Sequence, residues 1–402
     1  MSILERFLRY VKIDTMSSDD ATSVPSTSKQ FDLAVVLAEE LAELGLVDVS
    51  IDNHAIVTGT LPTNTDKKDY VIGFNAHLDT IPGFSGTNVN PNVIYNYDGK
   101  DIVLKNNIVI SNEKFPFLSN LIGKTLITTD GTTVLGADDK AGIAAIMGML
   151  EYFKEHKDVE HVTIKVAFSP DEEIGGGLDE FDVKAFGADF AYTVDGNAYN
   201  VINFECFNAA SAKVHINGLD IHPGSAFNKM INAADIATEF EQMLPAHDKP
   251  MYTRGYEGFN HLCYIHGETG FADMEFILRN HDLAKLEAQK DLFREITAKL
   301  NAKYGKGVVN LELIDSYRNM GDIVGIDSIP VKRCKERMHD LGIEMVVEPI
   351  RGGTDGALLT RKGMPTPNLG TGGYNCHGPY EFACLEEMQL VCDILCEIAK
   401  TK

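Results

Sequence analysis

The sequence predicts an α/β protein: an open α/β domain into which a smaller ferredoxin-like βαββαβ domain is inserted. Three observations carry this reading. Strand-length apolar runs recur through the first half, each ending at a polar cluster. Helical patterns alternate with these runs, as in an open sheet whose sites form at the carboxyl ends of its strands. Residues 209–314 then change rhythm to strand, helix, strand, strand, helix, strand.

Taken in order, residues 1–13 (MSILERFLRYVKI) set charges among apolar positions. They read as an amphipathic helix and lack the uninterrupted core of a signal peptide. Residues 27–44 read as a second helix, with Thr27 and Gln30 at capping-box spacing and Gly45 placed to end it. Residues 70–76 (YVIGFNA) run into His77, residues 162–168 (VTIKVAF) into Asp171-Glu172-Glu173, and residues 190–194 (FAYTV) into Asp195. Residues 140–153 (KAGIAAIMGMLEYF) are apolar nearly all round and read as a buried helix.

In the middle section, strands are expected at 209–217, 261–267, 272–280 and 308–314, with helices at 231–243 and 283–303. The α/β rhythm returns near Arg318, with helix 329–341, strand 344–350, helix 355–361 and a closing helix 385–400. The expected division is therefore 1–207, 208–317 and 318–402, the middle segment being the insertion.

Composition narrows the function. A chain of 402 residues suits two domains, and its 44% hydrophobic content suits a real core. The formal charge of −23 lacks the basic footprint that nucleic acid or an anionic membrane needs. No apolar run reaches the ~20 residues of a membrane span. Seven cysteines without a CxxC pair fit a reduced cytosol, so a cytoplasmic protein is expected. Cys392 and Cys396, one helical turn apart, read as helix packing. Ile122-Gly123-Lys124-Thr125 echoes a phosphate loop, but Leu118 stands where the leading glycine belongs, and the motif is rejected. His215 and His261 read as packing residues.

The chemistry lies in five clusters. His77 and Asp79 are two apart at a strand end, so they point to one side, and a carboxylate there can fix the tautomer of a metal-bound imidazole. Asp138 and Asp139 stand at a helix entry in GADDKAG. One can be an N-cap, but a cap explains only one of them. Pro170-Asp171-Glu172-Glu173 precedes three glycines, and its neighbouring carboxylates can take separate tasks, one on a metal and one as a free base. Asp195 ends an apolar run. His377 lies in TGGYNCHG, a loop too rich in glycine to serve a core. Together His77, Asp138, Glu173, Asp195 and His377 form a two-His, three-carboxylate shell suited to zinc and similar divalent ions. Two such ions can hold one water and clamp a carbonyl oxygen, with Glu172 left to take the water's proton.

HLDT (77–80), GADDKAGIA (136–144), PDEE (170–173), VDG (194–196) and YNCHG (374–378) resemble the M20 metallopeptidases in order and spacing. NVNP (88–91), TLITTDGTTVLGADDKAGIA (125–144), GYEGF (255–259), DSYRNM (315–320), PIRGGTDGA (349–357) and NLGTGGYNCHG (368–378) resemble its tripeptide-cleaving branch. The likeness spans nearly the whole chain. It implies a zinc-peptidase-like catalytic domain with the insertion as a lid, and two Zn2+ per chain. His77 and Asp195 would hold one zinc and Glu173 and His377 the other; Asp138 would bridge them, and its peptide link to Asp139 would be cis. Asp79 would orient His77, Glu172 would be the general base, and His222, in DIHPG, would stabilise the tetrahedral oxyanion. Arg279 and Arg351 match positions suited to gripping a substrate carboxylate, a task that fits the guanidinium fork; a structural salt bridge is the alternative for each. A homodimer through the lid is a further expectation.

The resemblance implies an aminopeptidase acting on short peptides, preferentially tripeptides. Another M20 activity (dipeptidase, carboxypeptidase or amide deacylase) needs the same pair of ions and is the nearest rival. A non-catalytic zinc-binding protein is the other, and the intact Glu172 weighs against it.

Overall fold

The fold is taken from a computed structural model that describes residues 1–401. The chain forms two compact units. One comprises Met1–Phe204, Ile323–Glu348 and the chain from Thr354 onward; the other comprises Glu205–Asp322 with Pro349–Gly353. The last segment departs from the expected division. Its Ile350 amide donates to the Glu205 carbonyl, and its Arg351 donates to the carbonyls of Gly255 and Glu257, so it packs with the small unit.

The large unit is built on an eight-stranded sheet. From edge to edge it runs Val47–Ile51, Val57–Leu61, Ile164–Ser169, Ile72–His77, Phe190–Gly196, Asn368–Gly370, Val201–Asn203 and Val346–Val347. Its three central strands, Ile164–Ser169, Ile72–His77 and Phe190–Gly196, are mutually parallel. Ile72–His77 is buried along its whole length, and before His77 its one polar side chain, Asn75, is hydrogen-bonded within the core. The helix Ala137–Glu155 covers this sheet with Ile143, Ala144, Ile146, Met147 and Leu150, all buried. Gly142 permits the close approach: a Cβ there would meet the Val194 carbonyl at 1.9 Å. The closing helix Leu385–Ala399 buries Val391, Leu395 and both Cys392 and Cys396 in the same core.

Three local expectations differ. The first helix is Ile3–Tyr10, shorter than the pattern suggested, with a capping box between Ser2 and Glu5. The second helix starts only at Gln30, and its N-cap, Lys29, makes no side-chain cap. Thr27 instead donates to the Met16 carbonyl, and Gln30 turns to Asp171. The expected strand 344–350 shrinks to Val346–Val347 because it holds only one neighbour, Val201–Asn203.

The small unit is a four-stranded antiparallel sheet in the order Phe259–Gly267, Phe271–Asn280, Asn208–Asn217, Val309–Asp315. From Ala210 to Asn217 buried and more open positions alternate, as a strand with one covered face requires. Helices Ala233–Gln242 and Leu283–Tyr304 supply the cover, with Phe240, Phe276 and Phe293 at its centre. His215, expected to pack inside, points from the open face and lies 2.7 Å from Asp273.

Candidate metal centre

The site is assembled at the carboxyl ends of the three central parallel strands. His77 is the last residue of one strand, Asp195 lies near the end of another, and Glu172 and Glu173 follow Ser169 of the third. Asp138 enters from the start of the helix Ala137–Glu155, where it keeps a non-helical φ of −83° and ψ of 102°. His377 comes from the glycine-rich loop and sits in the left-handed region at φ 70°. The Asp138–Asp139 peptide bond is cis.

Asp138 stands between the two histidines. Its Oδ1 is 2.8 Å from His77 Nε2, and its Oδ2 is 3.1 Å from His377 Nε2. His77 Nε2 is also 3.5 Å from Asp195 Oδ1, and His377 Nε2 is 3.0 Å from Glu173 Oε2. Ligand atoms of His77, Glu172 and Asp195 lie within 4.8 Å of one another, and so do those of His77, Asp138 and Glu173. All five residues singled out as metal ligands are thus brought into one cluster, with Glu172 beside them.

Asp79 is fully buried and faces the other ring nitrogen of His77, its Oδ1 3.2 Å from Nδ1. A proton on Nδ1, directed at this carboxylate and at the Asp79 backbone carbonyl 3.1 Å away, leaves the Nε2 lone pair free for a cation. Asp79 also accepts the backbone N–H groups of Glu172 at 3.0 Å and Glu173 at 3.3 Å. One carboxylate therefore fixes both the imidazole and the acid loop.

The electrostatics call for positive charge. Burial pushes Asp195 up to about 7 and raises Glu172 and Glu173 as well. Asp138 is held below the usual carboxylate range, because His377 and His77 outweigh its burial. Hydrogen bonds to Asp138 and Glu173 raise His377 to about 11. Four acids crowded on two imidazoles at a half-buried site, with only His377 openly exposed, are an unfavourable set without cations, and two imidazoles plus several carboxylates are the donors that zinc-like ions take. The residues present therefore fit a pair of divalent ions.

Several contributors were not legible as such in the sequence. Glu381, only 1% exposed, accepts the N–H groups of Leu135 at 2.6 Å, Gly136 at 2.9 Å and Asp138 at 3.1 Å. It lies four residues beyond His377, so one loop both presents that histidine and anchors the segment carrying Asp138. Asp139 is buried and accepts the His77 backbone N–H at 3.1 Å. Lys140 is buried with its Nζ on the Ile13 carbonyl at 2.9 Å, and burial brings it down to about 8. Under the site Thr193, Asn75, Ser169 and Asp355 form a hydrogen-bonded chain. The one sequence signal was an excess of acids and amides beside apolar runs.

The remaining candidates lie in the small unit. His222 is exposed, and its Nδ1 accepts the Gly224 N–H at 3.1 Å. Arg279 Nη1 donates to the carbonyls of Ala210 and Leu278, and its guanidinium lies 5.4 Å from the Tyr317 ring. Arg351 is committed further: Nη1 donates to Gly255 and Glu257, Nη2 to Thr253, and the group stacks over Phe207 and Phe259.

Fold and site define a metallopeptidase, and the chain belongs to peptidase family M20/M25/M40, whose pattern matches residues 135–401. Within that family its likeness is to peptidase T. It is 49% identical over 401 residues to the peptidase T of Alkaliphilus oremlandii, covering 99% of this chain and 98% of that one. Its fold matches the aminopeptidase PepT of Bacillus cereus with a TM-score of 0.79 at 22% identity, covering 99% of this chain and 97% of the other. A tripeptidase from Staphylococcus aureus gives the same TM-score, identity and coverage. Among the described residues no helix is long and apolar enough to cross a membrane.

Proposed function

We propose that the chain is a cytoplasmic zinc aminopeptidase that removes the N-terminal residue from short peptides, preferentially tripeptides. The observation that carries this reading is Asp138 with one oxygen toward each of two histidines, beside a further acid, Glu172, grouped with His77 and Asp195. The likeness to peptidase T supports the substrate class.

His77 and Asp195 would hold one ion, Glu173 and His377 the other, and Asp138 both. When bound, two zinc ions supply Lewis-acid polarisation of the scissile carbonyl and of the attacking water. Glu172 takes the proton of that water and returns it to the leaving amine, so that no charged amide nitrogen has to depart. Asp79 keeps the His77 ring and the Glu172 backbone in register. His222 donates an N–H to the oxyanion of the tetrahedral intermediate, a role that works only within hydrogen-bond reach. Arg279 would meet the peptide's carboxylate, and Arg351 acts through the 253–257 loop that it holds. The chain acts as a homodimer joined through the small unit.

The test is a peptide panel on zinc-loaded protein. Alanyl-tripeptides with a free amino terminus are expected to be cleaved to an amino acid and a dipeptide, with N-acylated versions inert. Faster release from the acylated peptides, or of the C-terminal residue, would move the chain to a deacylase or carboxypeptidase activity.

A further inference from the structure

The segment leading into the second helix has a task that its sequence concealed. Gln30, fully buried, does not cap its own helix. Its Nε2 donates to Asp171 Oδ1 at 2.6 Å, and its Oε1 accepts the Asp171 backbone N–H at 3.2 Å. Ser26 adds its backbone N–H to Asp171 Oδ2 at 2.6 Å and its hydroxyl to Oδ1 at 2.5 Å. Asp171 is 1% exposed and sits at φ 51°, the left-handed region that residues with a Cβ avoid unless local hydrogen bonds hold them there. It immediately precedes Glu172.

The same segment is tied to the loop after His77. Ser17 donates its backbone N–H to the Thr80 carbonyl at 3.0 Å, and Thr80 donates to the Thr15 carbonyl at 3.4 Å. The Ser18 amide in turn donates to Ser26 Oγ at 3.0 Å. Residues 15–30 thus form a strap fastened at one end to the loop of His77 and Asp79 and at the other to Asp171. Asp79 grips the acid loop one residue further on, at the amides of Glu172 and Glu173. The turn that aims Glu172 is therefore held on both sides.

We propose that Gln30 and Ser26 are positioning residues for the catalytic base: through Asp171 they fix the backbone turn from which Glu172 reaches the attacking water. This rests on Glu172 being that base. Gln30 makes no hydrogen bond to the ligand set or to Glu172, and its effect passes through Asp171. Small misplacement of a reacting group is enough to cost orders of magnitude in rate.

The experiment compares Gln30→Glu, Gln30→Met, Ser26→Ala, the double variant Gln30→Glu/Asp171→Asn, and Glu172→Ala. Each is measured for bound zinc, KM and kcat on a tripeptide. Gln30→Glu sets a carboxylate against a carboxylate and is expected to lower kcat at least about tenfold, with zinc content and KM close to the parent. The double variant restores a donor–acceptor pair and should recover much of that loss; Ser26→Ala and Gln30→Met should show smaller losses in kcat alone. Parent-like kcat in folded, zinc-loaded Gln30→Glu overturns the inference. Loss of zinc in step with kcat also overturns it, since the strap would then be structural. If Glu172→Ala stays active, the base assignment itself has failed; if it is dead while the strap variants are fully active, only the strap inference falls.

Discussion

The buried carboxylate of Asp79 accepts the backbone N–H of Glu172 at 3.0 Å, while facing the Nδ1 of His77 at 3.2 Å. The residue that selects the histidine tautomer is thus also a splint for the acid loop. Asp79→Asn keeps the shape, but its amide can offer an N–H where an acceptor is needed. Both zinc affinity and kcat are expected to fall, the affinity by about 10–100-fold as for other partners of metal-bound histidines. Competition with a chelator measures the first and turnover at saturating zinc the second. Unchanged zinc affinity would leave Asp79 with the loop alone.

The shared position of Asp138 makes a stoichiometric prediction. Asp138→Ala is expected to release both ions on dialysis, whereas His377→Ala should loosen mainly one. Metal content per chain decides this, and two ions retained by Asp138→Ala would remove the bridging role.

Glu381 anchors Asp138 from outside the ligand set. Glu381→Gln must turn an N–H toward at least one of the three amides it now accepts. A buried donor left unpaired costs about 1–3 kcal/mol. We expect weaker zinc binding with an unchanged fold by circular dichroism. Parent-like affinity would make Glu381 a loop anchor that the site does not need.

Asp355 gives a pH signature. Burial raises its carboxyl to about 6 in the folded chain, whereas a free aspartate titrates near about 3.9. On raising the pH from about 4 to about 6, the unfolded chain gives up this proton first, so the residue's contribution to stability falls and then levels off. Metal-free Asp355→Asn should therefore gain in Tm relative to the parent across that window. A flat difference would mean that Asp355 is ionised in the fold.

His222 and the proposed ligands belong to different units. His222→Ala is expected to lower kcat with little change in zinc content. Mixing inactive Glu172→Ala with inactive His222→Ala chains tests whether the histidine serves a partner's site; recovered activity means that it does. A fully active His222→Ala is an ordinary loop variant.

Much of the site was readable because its residues interrupt strong local patterns. His77 and Asp195 end apolar runs that are buried strands, and Asp138 opens a helix apolar nearly all round. Contacts made at long range to backbone were not readable. Gln30 has capping-box spacing with Thr27, yet its partner is 141 residues away. Glu381 accepts from amides some 245 residues earlier, and nothing local marks an acid for that task. The small sheet of Asn92–Ile94, Leu126–Thr128, Gly373–Tyr374 and Phe382–Cys384 has strands of two or three residues, too short for any periodicity to show. His215 follows strand alternation, but alternation alone does not say which face is covered.

The most direct test of the account is turnover and bound zinc measured on one preparation of Glu172→Ala. The account predicts two zinc ions per chain with kcat on a tripeptide reduced by roughly 10²–10⁴-fold, the usual cost of losing a general base. A fully zinc-loaded Glu172→Ala that turns over the tripeptide at near the parent rate would contradict it.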